Sequence, residues 1–174
     1  TKTKQKSRDL EFINWGEFSD IKIIHDGVCG GKVCCIIAMY KGKKYILKEV
    51  KKSQNFGIDY VLVDRMKPLF GLLSMRARRI RSNKGLVKII PNKPYRANCK
   101  IGENGETFVY VIMNYFENVG SVVQNKDVRE NLKKELLKIR LYDGLFRSSD
   151  NIQRNILVGI NKEKLMSIDE GDIY

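Results

Sequence analysis

Oxygen-bearing side chains recur at a regular spacing in the last quarter of the chain. In Ser148-Ser149-Asp150-Asn151-Ile152-Gln153-Arg154-Asn155-Ile156-Leu157-Val158, an acid is followed five residues later by an amide, and then by a short apolar strand. A polar turn, 159–164, separates this from a second apolar run, Leu165-Met166-Ser167-Ile168, which ends in Asp169-Glu170-Gly171. Asn155 and Asp169 are 14 positions apart, which suits a strand, a turn and a return strand. Such a hairpin carries carboxylate and amide oxygens on adjacent rigid strands. Hard oxygen ligands of this kind hold Mg²⁺, and Mg²⁺ neutralises the concentrated negative charge of a polyphosphate as it develops. The same residues also fit a plain hairpin with polar ends, in which Asp169-Glu170-Gly171 is an ordinary turn.

The elements that must position these groups lie upstream. Residues 21–50 read as three antiparallel strands: Ile21-Lys22-Ile23-Ile24-His25, then Val33 to Tyr40, then Tyr45-Ile46-Leu47-Lys48-Glu49-Val50. The first connection carries Gly27, Gly30 and Gly31, and the second is Lys41-Gly42-Lys43-Lys44. Glycines let backbone N–H groups approach an anion without Cβ interference, though a simple hairpin loop uses them as well. Lys48 is fixed within a strand, and it also reads as one of many edge-strand lysines. His25, the single histidine, has no Ser or Cys arrangement around it and reads as structural or solvent-facing.

Residues 57–82 read as mostly helical, with Ile58, Val61, Leu62, Met66, Leu69, Leu72, Leu73, Met75 and Ile80 recurring at three and four. Pro68 either kinks that helix or starts a second one. Arg76, Arg78, Arg79, Arg81 and Lys84 form the densest basic cluster, readable as a polyanion patch or as a solvated helix face. A short strand at 85–90 and an Asn104-Gly105 hairpin turn are expected next. Residues 107–115, Thr-Phe-Val-Tyr-Val-Ile-Met-Asn-Tyr, form a strongly apolar strand. Residues 120–126 read as a linker. Asp127 is placed to cap a helix running to about Tyr142, with Asp143-Gly144 ending it.

Composition bounds the rest. A chain of 174 residues predicts one domain or two small lobes around a cleft, and 43% hydrophobic residues suffice for a core. No run approaches the ~20 apolar residues of a membrane span. Residues 1–9 are a basic arm, and 10–15 place apolar residues where they would cover a sheet edge. No apolar segment follows the arm, so no signal peptide is expected. Cys29, Cys34, Cys35 and Cys99 form no C-x-x-C pair, and they read as reduced thiols in an intracellular setting, whether cytoplasmic or nuclear. The net charge of +13 points to a polyanionic partner such as nucleic acid, an anionic membrane surface or an acidic protein.

Taken together, D-x4-N-I-L-V, a hairpin-length gap and I-D-E-G resemble the protein-kinase-like superfamily, over about 21–171. The order of elements is similar as well: strand, glycine loop, strand, turn, strand with an internal lysine (I-L-K-E beside V-A-I-K), helix, apolar strand, helix, Asp loop, D-x-G. The loop lacks H-R-D and resembles the D-R-x-x-x-N-I-L loop of the phosphoinositide 3/4-kinase-related, atypical branch. The resemblance implies an α+β, two-lobed fold: a small lobe over 10–116, built on an antiparallel sheet with one or two helices, and a reduced, mostly helical large lobe over 117–174.

The resemblance also implies an ATP- and Mg²⁺-dependent phosphotransferase acting on a protein, lipid or small-molecule hydroxyl. Asp150 would be the catalytic acid–base. Asn155 and Asp169 would be metal ligands, and Lys48 and the glycines 27, 30 and 31 would contact phosphates. Met113 and Tyr115 would sit at the adenine-binding hinge. Asp59 or Asp64 would aim Lys48, and Asp64 is preferred because it lies mid-helix. Departures are Asn151 where those enzymes carry Arg, Ser149 before the Asp, a glycine loop that is not G-x-G-x-x-G, and only three residues after Gly171. The chain therefore reads as a fragment, a minimal form or one piece of an assembly whose partner completes the large lobe. The alternative is a catalytically inactive kinase-like scaffold, a virion or chromatin component, binding nucleic acid or another polyanion through 76–84 and the basic arm.

Overall fold

The computed structural model describes residues 12–25, 35–50, 57–83, 108–125, 127–128, 132–146 and 155–168. Strands β1 (Phe18–His25), β2 (Cys35–Tyr40), β3 (Lys43–Val50), β4 (Arg78–Ser82) and β5 (Phe108–Asn114) form one antiparallel sheet in the order β1-β2-β3-β5-β4. β2 and β3 are joined by Lys41 and Gly42 at φ 48° and 74°, with Tyr40 paired to Lys43. Two successive positive-φ residues match the right-handed twist of the flanking strands, which is why Gly stands there. The early strands fall where the alternation of β-branched and polar residues places them.

The two faces of this sheet bury different things. Ile36, Ala38, Leu47, Ile80, Tyr110 and Ile112 pack on one face, where the segment from Phe12 to Phe18 covers them. Ile13 donates its amide to the Arg81 carbonyl at 2.7 Å, and the Trp15 indole N–H donates to Ser82 Oγ at 2.7 Å. The expected edge cover is therefore present, along β4. The opposite face carries Val50, Val111 and Met113 and packs on Tyr60, Val61, Met75 and Met166.

Helix α1 (Ile58–Met66) begins at Gly57, whose φ is 73°. A Cβ there would lie 2.5 Å from Val111 Cγ2, so the left-handed conformation and the close approach both require glycine. The helix expected over 57–82 stops at Met66. A 3-10 turn, Lys67–Phe70, follows with Pro68 near its start, and Gly71 at φ 69° ends it. Residues 72–77 are extended, and 78–82 are strand β4. The apolar spacing of Leu72, Met75 and Ile80 reflects burial in three different hydrophobic clusters rather than one helical stripe. This corrects the helical placement of the arginine cluster. On a strand, successive residues point to opposite faces.

A second antiparallel sheet orders β6 (Asn118–Ser121), β7 (Ile156–Gly159) and β8 (Leu165–Ser167) as β6-β7-β8. The span expected to be a linker supplies the last two residues of β6, because pairing with β7 satisfies its backbone groups. Helix α2 (Lys133–Leu145) runs past Asp143-Gly144, which was expected to end it. Asp143 is buried, 6% exposed, and Gly144 lies inside the helix. Tertiary contacts of Asp143 outweigh the local preference of Asp-Gly for a turn. Leu136, Ile139 and Tyr142 of α2 pack with Val63, Leu72, Val122, Ile156, Val158 and Leu165, and the Tyr142 hydroxyl donates to the Val63 carbonyl. Tyr60 and Val61 face one core and Val63 the other, so α1 joins the two sheets. Among the described residues, no helix is long and apolar enough to cross a membrane.

Candidate functional site

Lys48 lies mid-strand in β3, opposite Val111, on the sheet face that packs against α1. It is 7% exposed, and its ammonium sits 5.2 Å from the ring centroid of Tyr60 on α1. A strand residue at i−2 shares its face. Ile46, half-buried, therefore lies beside Lys48, in the same apolar cluster as Phe116, Leu157 and Ile168, all partly buried. These four side chains belong with Met113 to one apolar cluster, and Ile46 shares the strand face of the buried ammonium. That combination suits a flat heteroaromatic ring attached to an anion.

The second half of the arrangement comes from the β7–β8 hairpin. Ile156 pairs with Ser167, Leu157 with Met166 and Val158 with Leu165. The ladder continues one step further: Ile168 donates its amide to the Asn155 carbonyl at 2.8 Å. Asn155 is thus held across from Ile168, the residue before Asp169. Gly27, Gly30, Gly31, Lys84, Asp150 and Asp169 lie outside the described residues. Among those described, no cluster of three His, Cys, Asp or Glu side chains is assembled to hold a metal.

Asp64 corrects one expectation. Its carboxylate is fully buried and does not turn toward Lys48. It accepts from Ser74 Oγ at 2.7 Å, from the Met75 amide at 3.0 Å and from the Ala77 amide at 2.8 Å. Lys67 Nζ stands 3.6 Å from its Oδ1. The reason is helical geometry. Asp64 lies one turn beyond Tyr60, about 6 Å further along the axis, and Tyr60 occupies the position that meets Lys48. Asp64 instead satisfies the backbone donors of the extended segment leading into β4.

Near the expected hinge, Met113 is buried at the end of β5. The Tyr115 amide donates to the Lys44 carbonyl at 3.1 Å and so is already engaged. Lys44 covers the Tyr115 ring at 4.5 Å and pairs with Glu117 at 2.9 Å. Beside this clasp, Tyr115, Phe116, Glu117, Gly159, Ile160 and Lys164 line a cavity of about 270 Å³.

Sequence reasoning missed Tyr60, Ile46, Lys67 and Asp143. Ile46 was within reach, since it sits two residues from Lys48 on one strand. Lys67 and Asp143 carried no signal, because nothing in their local sequence marks them as buried. Lys67 is 0% exposed and donates to the Ser167 carbonyl at 2.7 Å. Burial pushes the Asp143 carboxyl above its ordinary value, while the Lys67 charge and a hydrogen bond with Ser167 partly oppose this. A raised folded pKa means that the folded state holds more protons than the unfolded state just above the ordinary carboxylate range. Stability therefore falls as pH rises through that window. Asp143→Asn is expected to flatten this slope, read as thermal midpoint against pH.

The arginines divide between the faces of β4. Arg78 stands opposite Ile112 and lines a cavity of about 260 Å³ with Phe18, Tyr40 and Lys41. Arg79 and Arg81 stand opposite Val111 and Val109, on the other face. Arg79 Nε is buried with no hydrogen-bond partner, and burial, with Arg81 nearby, holds its guanidinium below its ordinary value. Arg76, at φ 53°, is exposed just before the strand.

No protein-family model matches this sequence, and no curated protein matches it. Solved structures do. The kinase PK-1 of Cydia pomonella granulovirus superposes with a TM-score of 0.52 at 16% identity, over 90% of this chain and 52% of that one. The pseudokinase PEAK1 superposes at a TM-score of 0.41 and 14% identity, over 95% of this chain and 47% of that one. The chain thus spans about half the length of the granulovirus kinase. The five-stranded antiparallel sheet, the helix packed on it and the hairpin beyond accord with that likeness: the chain has a protein-kinase-like α+β fold.

Proposed function

We propose that the chain binds ATP with Mg²⁺ and belongs to a phosphotransferase acting on a protein, lipid or small-molecule hydroxyl, of the atypical branch related to the phosphoinositide 3/4-kinases. The observation that carries this reading is the Asn155–Ile168 pairing. It ties the backbone of Asn155, the last residue of the D-x4-N loop, to Ile168, the residue before the D-x-G in sequence. Lys48 stands buried on the five-stranded sheet, and Ile46 beside it shares one apolar cluster with Leu157 and Ile168 of the hairpin. Asn155 and Asp169 would hold Mg²⁺, which neutralises charge on the phosphates. Lys48 and the glycines 27, 30 and 31 would contact phosphate oxygens, and Asp150 would orient the attacking hydroxyl. The rest of a large lobe would come from further chain or from an assembly partner. An intracellular or virion setting is part of the same proposal.

The test is the thermal midpoint with and without Mg²⁺-ATP. Ligand at a hundred times its Kd adds about 2.7 kcal/mol, which for a chain of this size is roughly 5–10 °C. A rise that EDTA removes is expected. No rise at saturating Mg²⁺-ATP would sink the nucleotide reading. Lys48→Met is expected to weaken Mg²⁺-ATP binding about 10- to 100-fold, the value of a charge-assisted hydrogen bond. The apolar stem stays against Tyr60, so the ligand-free midpoint should change little. Calorimetric titration checks the first and a melt of the apo protein the second.

A second reading, a polyanion-binding scaffold, is favoured by Arg79 and Arg81. They share one face of β4, and the buried Arg79 Nε lacks a partner. It predicts oligonucleotide affinity that falls steeply with salt and is weakened by Arg79→Ala and Arg81→Ala, with no response to Mg²⁺-ATP.

A further inference from the structure

Four buried polar side chains from four elements converge at one point: Asp64 of α1, Lys67 of the 3-10 turn, Asp143 of α2 and Ser167 of β8. The Lys67 ammonium, entirely out of solvent, donates to the Ser167 carbonyl at 2.7 Å and lies 3.6 Å from Asp64 Oδ1. Asp64 is tied in turn to Ser74, Met75 and Ala77. Asp143 interacts with the Lys67 charge and hydrogen-bonds with Ser167.

We propose that Lys67 is a positioning residue that pins the end of strand β8 to helix α1. A buried lysine is retained only where its charge is balanced and its donors are used. Here the balance comes from Asp64 and Asp143, and one donor reaches the backbone of β8. β8 has three residues, and among the described residues β7 is its one strand partner. Met166 and Leu165 supply apolar contact and the ladder with β7 sets the register, while the short bond to the Ser167 carbonyl ties the strand to the 3-10 turn. The residue after Ser167 is Ile168, which pairs with Asn155, and the next is Asp169. The pin therefore holds the backbone at Ser167, two residues before Asp169 in sequence, and couples it to α1, the helix that also carries Tyr60 against Lys48. Its consequence for metal binding rests on the reading of Asp169 given above.

The experiment compares the wild type, Lys67→Met and the double variant Lys67→Met/Asp143→Leu. The double variant removes Asp143 together with Lys67, so that the carboxyl whose charge burial disfavours does not outlast the ammonium beside it, while Asp64 keeps its three hydrogen bonds. Two quantities are measured: amide hydrogen exchange at 165–168 against exchange in β2 and β3, and the Mg²⁺ concentration that half-saturates the ATP-induced thermal shift. Loss of a charge-assisted bond predicts exchange at 165–168 about tenfold faster in both variants, with β2 and β3 unchanged. The half-saturating Mg²⁺ concentration should rise by a similar factor, and apolar repacking should not restore it. A merely structural role predicts the opposite for the double variant: a stable fold with wild-type exchange in β8 and a wild-type Mg²⁺ response. That result would overturn the proposal. If the wild type itself shows no metal-dependent ATP response, the Asp169 reading fails on its own. Exchange at 165–168 then decides the pin, faster exchange supporting it and unchanged exchange refuting it.

Discussion

Asp64→Ala is expected to cost about 3–5 kcal/mol of folding stability and to lower the thermal midpoint by roughly 6–20 °C. Three donors converge on this carboxylate: Ser74 Oγ and the Met75 and Ala77 amides, with the two amides buried. Removing it orphans those donors in a site that water does not reach. It also leaves the ammonium of Lys67, 3.6 Å away and fully buried, without its nearest counter-charge. Breaking one side of a buried pair is costly because the remaining charge is uncompensated. Asp64→Asn should recover only part of the loss, since an amide offers one acceptor oxygen where the carboxylate uses two. Chemical denaturation of the wild type and both variants measures this. A loss under about 1 kcal/mol for Asp64→Ala, the scale of an exposed pair, would contradict the buried network.

Asp169→Ala is expected to abolish the Mg²⁺-dependent part of ATP binding while leaving the fold intact. The motif follows directly in sequence on Ile168, whose amide is held by the Asn155 carbonyl, and Asn155 is the other proposed metal ligand. A hard cation needs several oxygen ligands, and a carboxylate carries most of the charge that retains it. With that carboxylate gone, the rise of several degrees with Mg²⁺-ATP should vanish, and the ligand-free midpoint should match the wild type. Wild-type Mg²⁺-ATP binding and turnover in Asp169→Ala would remove Asp169 from the site. Together with Lys48→Met, the variant separates phosphate contact from metal contact. Lys48→Met lowers affinity whether or not metal is present, whereas Asp169→Ala removes only the metal-dependent part.

The fold was legible where local patterns and final packing agree. Alternating β-branched residues in β1, β2, β3 and β5 declare strands, and Lys41-Gly42 declares a two-residue turn by its positive φ. The spacing of 156–168 declares a hairpin, two short apolar runs around a polar turn. By contrast, 72–82 carried helical spacing yet formed an extended segment and a strand. Pro68 and Gly71 end the helix locally, and β5 then offers 78–82 a full ladder of hydrogen bonds. Intrinsic propensity differs by tenths of a kcal/mol per residue, so it yields to that pairing.

The site divides in the same way. Sequence alone determined which chemistry was at hand: a lysine inside a strand, an acid and an amide five apart, and a second acid after a hairpin. It also determined the order in which those groups occur, because order and spacing are properties of the chain. Only the tertiary structure decided which acid faces which lysine. Asp64 was assigned to Lys48 by its place in a helix, but one helical turn carries it to Lys67 and the loop before β4, and Tyr60 takes the place beside Lys48. Asp143 looked like the end of a helix and is buried inside one, beside a lysine distant in sequence. The physical reason is that Coulomb and hydrogen-bond energies act between groups close in space, and a difference of one turn along a helix, about 6 Å, is enough to exchange one partner for another.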